Sequence, residues 1–284
     1  MTENIFTFSL ESYNLPAITI ELMEVGPELA HSWLGRNTKN RNLRPSNVSK
    51  YARDMEAKQW TIDGSTIVFS TNGVLLDGQH RLHAIIASGA TVPALVVRGV
   101  LDKAQRTIDG GAKRTMGDRL RIDDIPSANR AVLAALLRRA VMWDRGYYTN
   151  AGAGTPSPAE MYAYLDENPG VMWSADFAAG AKNRILAPCS VVALAHWVMS
   201  RISSADADWF FSRLVEPADV PSGHPIFVLD NRLKAMSKRT GRTAETEILV
   251  MFIRAWNAHR EGRKASVFLM PKGGLKNSNF PLPK

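Results

Sequence analysis

The sequence predicts an α+β protein, with a mixed α/β domain over residues 1–125, led by an N-terminal arm, and an all-α domain over 126–284 that ends in a basic tail. Three observations predict it. Strand-like segments recur between Ala17 and Val100. Thr71-Asn72-Gly73 separates two apolar runs, a strong hairpin signal. Beyond Pro126, apolar residues recur at helical spacing in one segment after another.

Taken in order, residues 1–16 read as an arm, and AITIELMEV alternates apolar and polar residues as a strand does. GPELAHSWLGRN places Pro27 at a helix start, with Leu29, Trp33 and Leu34 on one face. In NRNLRPSNVSKYARDMEAKQW, Pro45 and Ser46 mark a second start, Ser46 as N-cap. Val48, Tyr51, Ala52 and Met55 face inward there, and Lys50, Arg53 and Asp54 outward. The hairpin STIVFSTNGVLLDG leads into a helix from Gln79 to about Ser88, closed by Gly89. VPALVVRGV is a buried strand, and TIDGGAKRTMGDRLRI is a Gly-rich turn, carrying Lys113 and Arg114, that runs into a helix. In the second half, SANRAVLAALLRRAVMWDRGYY, PAEMYAYLDEN, PCSVVALAHWVMSRI, DADWFFSRLVE, PIFVLDNRLKAMSKR and AETEILVMFIRAWNAHREG read as helices. Arg138-Arg139 reads as a solvated pair, and KGGLKNSNFPLPK as a tail with little structure.

The totals narrow the function classes. With 45% hydrophobic and 22% charged residues, the 284-residue chain has globular proportions. It shows no apolar run long enough to span a membrane and no secretory signal. A single cysteine, Cys189, excludes an intrachain disulfide and points to the cytoplasm; its apolar surroundings make it a core residue. The formal charge is +8 and the pI about 9.7, which favours polyanionic partners. Residues 1–125 hold about 15 Lys/Arg against 14 Asp/Glu, and residues 126–284 about 20 against 13, with most of the excess beyond Asp230.

Asp77-Gly78-Gln79-His80-Arg81 is the stretch richest in chemistry. A helix start gathers unpaired N–H groups and a partial positive charge, so phosphate is a natural ligand for it. Gly78 permits a tight turn, Arg81 offers a fork of donors, and His80 can donate or shuttle a proton. Asp77 is either an N-cap or a catalytic carboxylate, acting as metal ligand or general base. His80 and His83 share a helix face, but no third metal ligand is apparent, so no metal site is assigned.

From about Ile18 to Thr115 the chain resembles the N-terminal domain of ParB-type partition proteins, in the ParB/sulfiredoxin-like superfamily. Three pieces carry the resemblance, in order: NRNLRPSNVSKYARDMEAKQW, STIVFSTNGVLLDG, and DGQHRLHAI followed by VPALVVRG. The DGQHR form with TIDGGAKRT is similar to ParB-like proteins of bacteriophages and actinobacterial genomes. Gln79 stands where partition ParBs carry Glu and sulfiredoxins Cys. The resemblance implies a nucleotide-phosphate pocket for CTP or ATP with Mg, in which Gly78, Gln79, His80, Arg81, Arg41 and Arg44 would contact phosphates. It also implies homodimerisation.

In the second half, Arg232, Lys234, Lys238, Arg239 and Arg242 crowd the connection before a helix at Ala244–Arg260, with Thr243 as its N-cap. Helix–turn–helix geometry fits the spacing. That second helix is rich in core residues, however, and it exposes Glu245 and Glu247, so phosphate contacts from the turn and tail fit better than base reading. The expectation is a double-stranded DNA-binding protein of the cytoplasm and nucleoid, with weak sequence preference, contacting DNA through Lys50, Arg53, Lys113, Arg114 and the basic turn. The alternatives are a phosphoryl-transfer or NTP-hydrolysing enzyme centred on Asp77, and a phage module that binds a host protein.

Overall fold

The computed structural model describes residues 5–8, 17–38, 40, 42–108, 114–149, 154–237, 244–271 and 273–284. Within the expected arm, Ile5–Phe8 form an edge strand, β1, antiparallel to β2 (Ile18–Val25). The arm carries little sequence signal because a short edge strand is specified by its neighbour's free backbone groups rather than by its own pattern. There follow α1 (Pro27–Leu34), α2 (Pro45–Glu56), β3 (Thr66–Ser70), β4 (Leu75–Asp77), α3 (Gln79–Ser88) and β5 (Val92–Val100). The described strands form one mixed sheet in the order β1-β2-β5-β3-β4. Only β3 and β5 pair in parallel, with α3 in the connection between them.

Asn72-Gly73 turns the hairpin as expected. Gly73 has φ +75°, its N–H donates to the Ser70 carbonyl at 2.9 Å, and Ser70 N–H donates to Val74 at 2.9 Å. The apolar sides of α1, α2 and α3 close over Ile67 and Phe69 of β3 and Val92 and Val96 of β5. Trp33 meets Phe69 edge-on at 5.2 Å, and the Arg98 guanidinium lies 4.7 Å from the Phe69 ring centre. Two details of α2 differ from expectation. Arg44 occupies the N-cap position, so Ser46 falls inside the first turn and makes no capping bond, because Pro45 takes N1. Asp54 is buried, because packing against α3 extends the covered face beyond the stripe that periodicity marks.

The chain divides into two compact units, Met1–Lys113 and Arg114–Lys284. The seam falls before the expected 125/126 boundary because α4 (Met116–Ile122) puts Leu120 into the helical core and packs on α5 (Arg130–Asp144). The second unit continues through α6 (Pro158–Glu167), α7 (Val171–Gly180), α8 (Cys189–Ser200), α9 (Ser204–Val215), α10 (Pro225–Ser237) and α11 (Glu245–Arg260). Helix α7 was not foreseen. VMWSADFAAG mixes Gly, Ser and Asp with apolar residues and has no clean polar stripe, yet Val171, Ser174, Ala175 and Ala178 are all buried. The Arg138-Arg139 pair is split: Arg138 is exposed, while half-buried Arg139 pairs with Glu245 of α11. Cys189 is half-buried and packs against the core. None of the described helices is long and apolar enough to cross a membrane.

The C-terminal segment is ordered against the helices instead of forming a loose tail. Phe280 is buried among Trp143 and Tyr148, and Trp256 Nε1–H donates to the Lys284 carbonyl at 2.9 Å. Asn257 makes a reciprocal pair, donating to Leu282 O and accepting from Lys284 N, each at 2.9 Å. The composition of this segment suggests solvation, but a single Phe and a few backbone groups outweigh it once Trp143 and Tyr148 receive the ring and α11 pairs the backbone groups.

Buried His196 on α8 has Ser174 Oγ at 2.9 Å from its Nδ1 and stacks on Phe177. Burial pushes its imidazole down to about 4 from 6.5. Above pH 6.5 the group is neutral in both folded and unfolded chains. Below it, the unfolded chain takes a proton that the folded one refuses, so stability falls between pH 6.5 and about 4 and this contribution then levels off. The loss is about 3 kcal/mol at 1.36 kcal/mol per pH unit. Burial shifts half-buried His224 and His259 in the same direction. Urea unfolding at pH 7.5, 5.5 and 4 checks this, and His196→Asn should flatten the slope across that window.

Candidate functional site

The Asp77–Arg81 turn is built where β4 hands over to α3. Gly78 has φ +106° and occupies the N-cap position without a side-chain cap. A Cβ there would lie 3.1 Å from Ile67 Cγ1 and 3.3 Å from Ile67 Cα, so the turn requires glycine both for its backbone angle and for its closeness to β3. Asp77 is therefore not the N-cap. It ends β4, and its Oδ2 accepts from Arg81 Nη2 at 2.8 Å. The same Nη2 donates to the Thr66 carbonyl. Burial would raise the nearby Asp63 carboxyl, but hydrogen bonds from Ser65 and the charge of Arg81 outweigh it and hold the group below its ordinary value. Arg81 thus binds the Asp77 carboxylate and the Thr66 carbonyl, and its charge also acts on Asp63.

The neighbouring side chains are also engaged. His80 is buried and its Nε2 accepts the Arg44 backbone N–H at 3.0 Å, which leaves the proton of the neutral ring on Nδ1. Gln79 is buried and its Oε1 accepts from Asn37 Nδ2 at 3.1 Å. Asn37 Oδ1 in turn accepts from Asn40 Nδ2 at 2.7 Å, the same Nδ2 donates to the Leu75 carbonyl at 2.8 Å, and Gln105 Nε2 donates to Asn40 Oδ1 at 3.2 Å. A polar network therefore ties the stretch between α1 and α2 to the turn. Sequence reading missed Asn37, Asn40 and Gln105. The Asn-rich GRNTKNRNLR stretch was the only signal, and it does not name partners that lie 35 to 65 residues away.

The structure brings Asp77, Gly78, Gln79, His80, Arg81 and the backbone of Arg44 together, and puts Lys50 and Arg53, both half-buried, on α2, which packs against α3. The anion cradle expected at this turn holds the chain's own groups: a carboxylate on Arg81, an N–H on His80 and an amide on Gln79. Arg41 and Lys113 lie outside the described residues, as do Lys238, Arg239, Arg242 and Thr243. Among the described residues no group of three or more His, Cys, Asp or Glu could hold a metal.

The other predicted cations lie in the helical unit. Arg114 and Arg232 are exposed, and Lys234 pairs with Asp230 at 2.6 Å. Beyond Asp230 the sequence holds 12 Lys/Arg against 3 Asp/Glu. Two of those carboxylates are bound, Glu245 by Arg139 and Glu261 by Arg263 and Lys284. Arg232, Arg260, Arg263, Lys264, Lys276 and Lys284 are all exposed. Helix α11 is chiefly a core helix: Ile248 to Ile253 are buried without a break, as are Ala255 and Trp256. No family model, curated protein or solved structure matches the chain.

Proposed function

We propose that the protein binds double-stranded DNA through its phosphates, with weak sequence preference, using the cationic surface of the helical unit. The surplus of basic over acidic residues beyond Asp230, with Arg232, Arg260, Arg263, Lys264, Lys276 and Lys284 exposed, supports this reading above all. Burial of residues 248–253, Ala255, Trp256 and Ala258 of α11, with acidic Glu245 and Glu247 in its first turn, favours phosphate contacts over base-edge contacts. The first unit is read as a ParB/sulfiredoxin-like domain. Its order of strand, two helices, hairpin, helix and strand, with DGQHR at the last turn, supports that assignment. In this reading the turn is an anchor that fastens α3 to β3 and to the start of α2.

The test is fluorescence anisotropy with two duplexes of unrelated sequence, from about 50 to 200 mM salt. Each neutralised phosphate releases counterions, so contact with about four phosphates lowers affinity by about a hundred-fold over that range, equally for both duplexes. Arg232→Glu and Lys264→Glu should each reduce the salt slope by about one. Binding that is indifferent to salt, or no binding at low salt, would refute the reading.

A further inference from the structure

A cavity of about 490 Å³ lies between the last turns of α11, the 263–268 segment and the C-terminal residues 281–284. Its walls are fixed from several directions. Arg263 N–H donates to Ala258 O at 2.8 Å and Ala265 N–H to Gly223 O at 2.9 Å. The bonds from Trp256 and Asn257 to Lys284 and Leu282 hold the third wall.

The lining is strongly cationic. Arg254, Arg263, Lys264 and Lys284 face a single side-chain carboxylate, Glu261. That carboxylate is already shared between Arg263 and Lys284, with Lys284 Nζ at 3.1 Å, so it does not offset Arg254 or Lys264. Arg254 is half-buried, and its Nε is buried with no hydrogen-bond partner among the described residues. A desolvated donor on a charged group is costly to leave unpaired, and native proteins rarely do so without a ligand or water. The only other such atom among the described residues is Arg81 Nε, whose guanidinium is already neutralised by Asp77. The remaining wall, Val267, Phe268, Pro281 and Leu282, is apolar and has no use for a bare ion.

We propose that this cavity binds a small phosphate monoester, with the phosphate on Arg254 and Lys264 and an apolar or aromatic body against Phe268 and Leu282. Arginine supplies paired donors for the oxyanion and lysine a point charge. The site takes a compact ligand in a concave pocket, and although Lys264 also belongs to the cationic surface read as the duplex face, Arg254 and the apolar wall are specific to the cavity. Failure of DNA binding leaves it standing, and its own failure leaves the DNA reading standing.

The experiment is calorimetric titration of the intact chain at constant ionic strength with phenyl phosphate, inorganic phosphate and phenol. Phenyl phosphate is expected to bind about tenfold or more tightly than inorganic phosphate, as burial of an apolar group adds to the charge pairing, and phenol is expected not to bind measurably. Arg254→Gln should weaken phenyl phosphate about tenfold or more. Lys264→Gln alters an exposed side chain and leaves the fold intact, so its several-fold loss keeps the proposal testable if the Arg254 variant is unstable. Equal binding of phenol and phenyl phosphate, equal binding of the two phosphates, or wild-type affinity in folded Arg254→Gln or in Lys264→Gln would overturn the assignment.

Discussion

Gly78→Ala is expected to destabilise the first unit by about 2–6 kcal/mol, the sum of a backbone and a packing penalty. At φ +106° a Cβ crowds the carbonyl of the preceding residue, and the added methyl would lie 3.1 Å from Ile67 Cγ1 and 3.2 Å from Ile67 Cγ2. Ile67 is a core residue of β3, held by Phe69 and Leu82 around it, so it cannot swing away. Relief would require α3 to move off β3, which would also stretch the Arg81–Thr66 and His80–Arg44 bonds. Gly89→Ala separates the two penalties. Gly89 has φ +68° and nothing within 4 Å of its added methyl, so only the conformational cost of about 1–2 kcal/mol applies. Urea unfolding of the two variants checks the difference. If Gly78→Ala costs no more than Gly89→Ala, the turn does not sit against β3 as described.

Phe280→Ala should cost the helical unit about 3–5 kcal/mol, the usual range for emptying a buried aromatic site. The ring stacks on Tyr148 at 5.3 Å and meets Trp143 edge-on at 6.1 Å. Just upstream, Asn277 Oδ1 accepts from Tyr148 N, Thr149 N and Thr149 Oγ1, at 3.1, 3.0 and 2.8 Å. Losing the ring loosens this attachment as well, and with it the wall of the cationic cavity. Leu282→Ala is the internal comparison: Leu282 is 49% exposed, so its truncation should cost well under about half of the Phe280 value. A thermal melt of Phe280→Ala that matches the wild type would mean that the C-terminal segment does not dock in solution.

Much of the architecture was legible before any coordinates. Asn72-Gly73 named its hairpin, and of the two it is Gly73 that takes the positive φ the turn needs. Gly89 named the end of α3, and the existence of α1 and of six helices in the second unit followed from their apolar spacing. What failed shares a cause. β1, α7, the Phe280 attachment and the burial of Asp54 depend on what a neighbour presents, and periodicity reports only on the segment that carries it.

The candidate site divides in the same way. Composition and local pattern determined that a glycine must stand at residue 78, that Gln79, His80 and Arg81 open a helix, and that positive charge gathers beyond Asp230. Tertiary structure alone decided where those groups point. Arg81 turns back to Asp77 and Thr66, His80 receives the Arg44 N–H, and Gln79 joins Asn37. Far along the chain, Arg254 lines a cavity, and its Nε is buried without an acceptor among the described residues. A donor's strength can be read from its residue type. Whether that donor is spent within the chain or kept for a ligand depends on which distant acceptor folding brings within about 3 Å, and that is a property of packing.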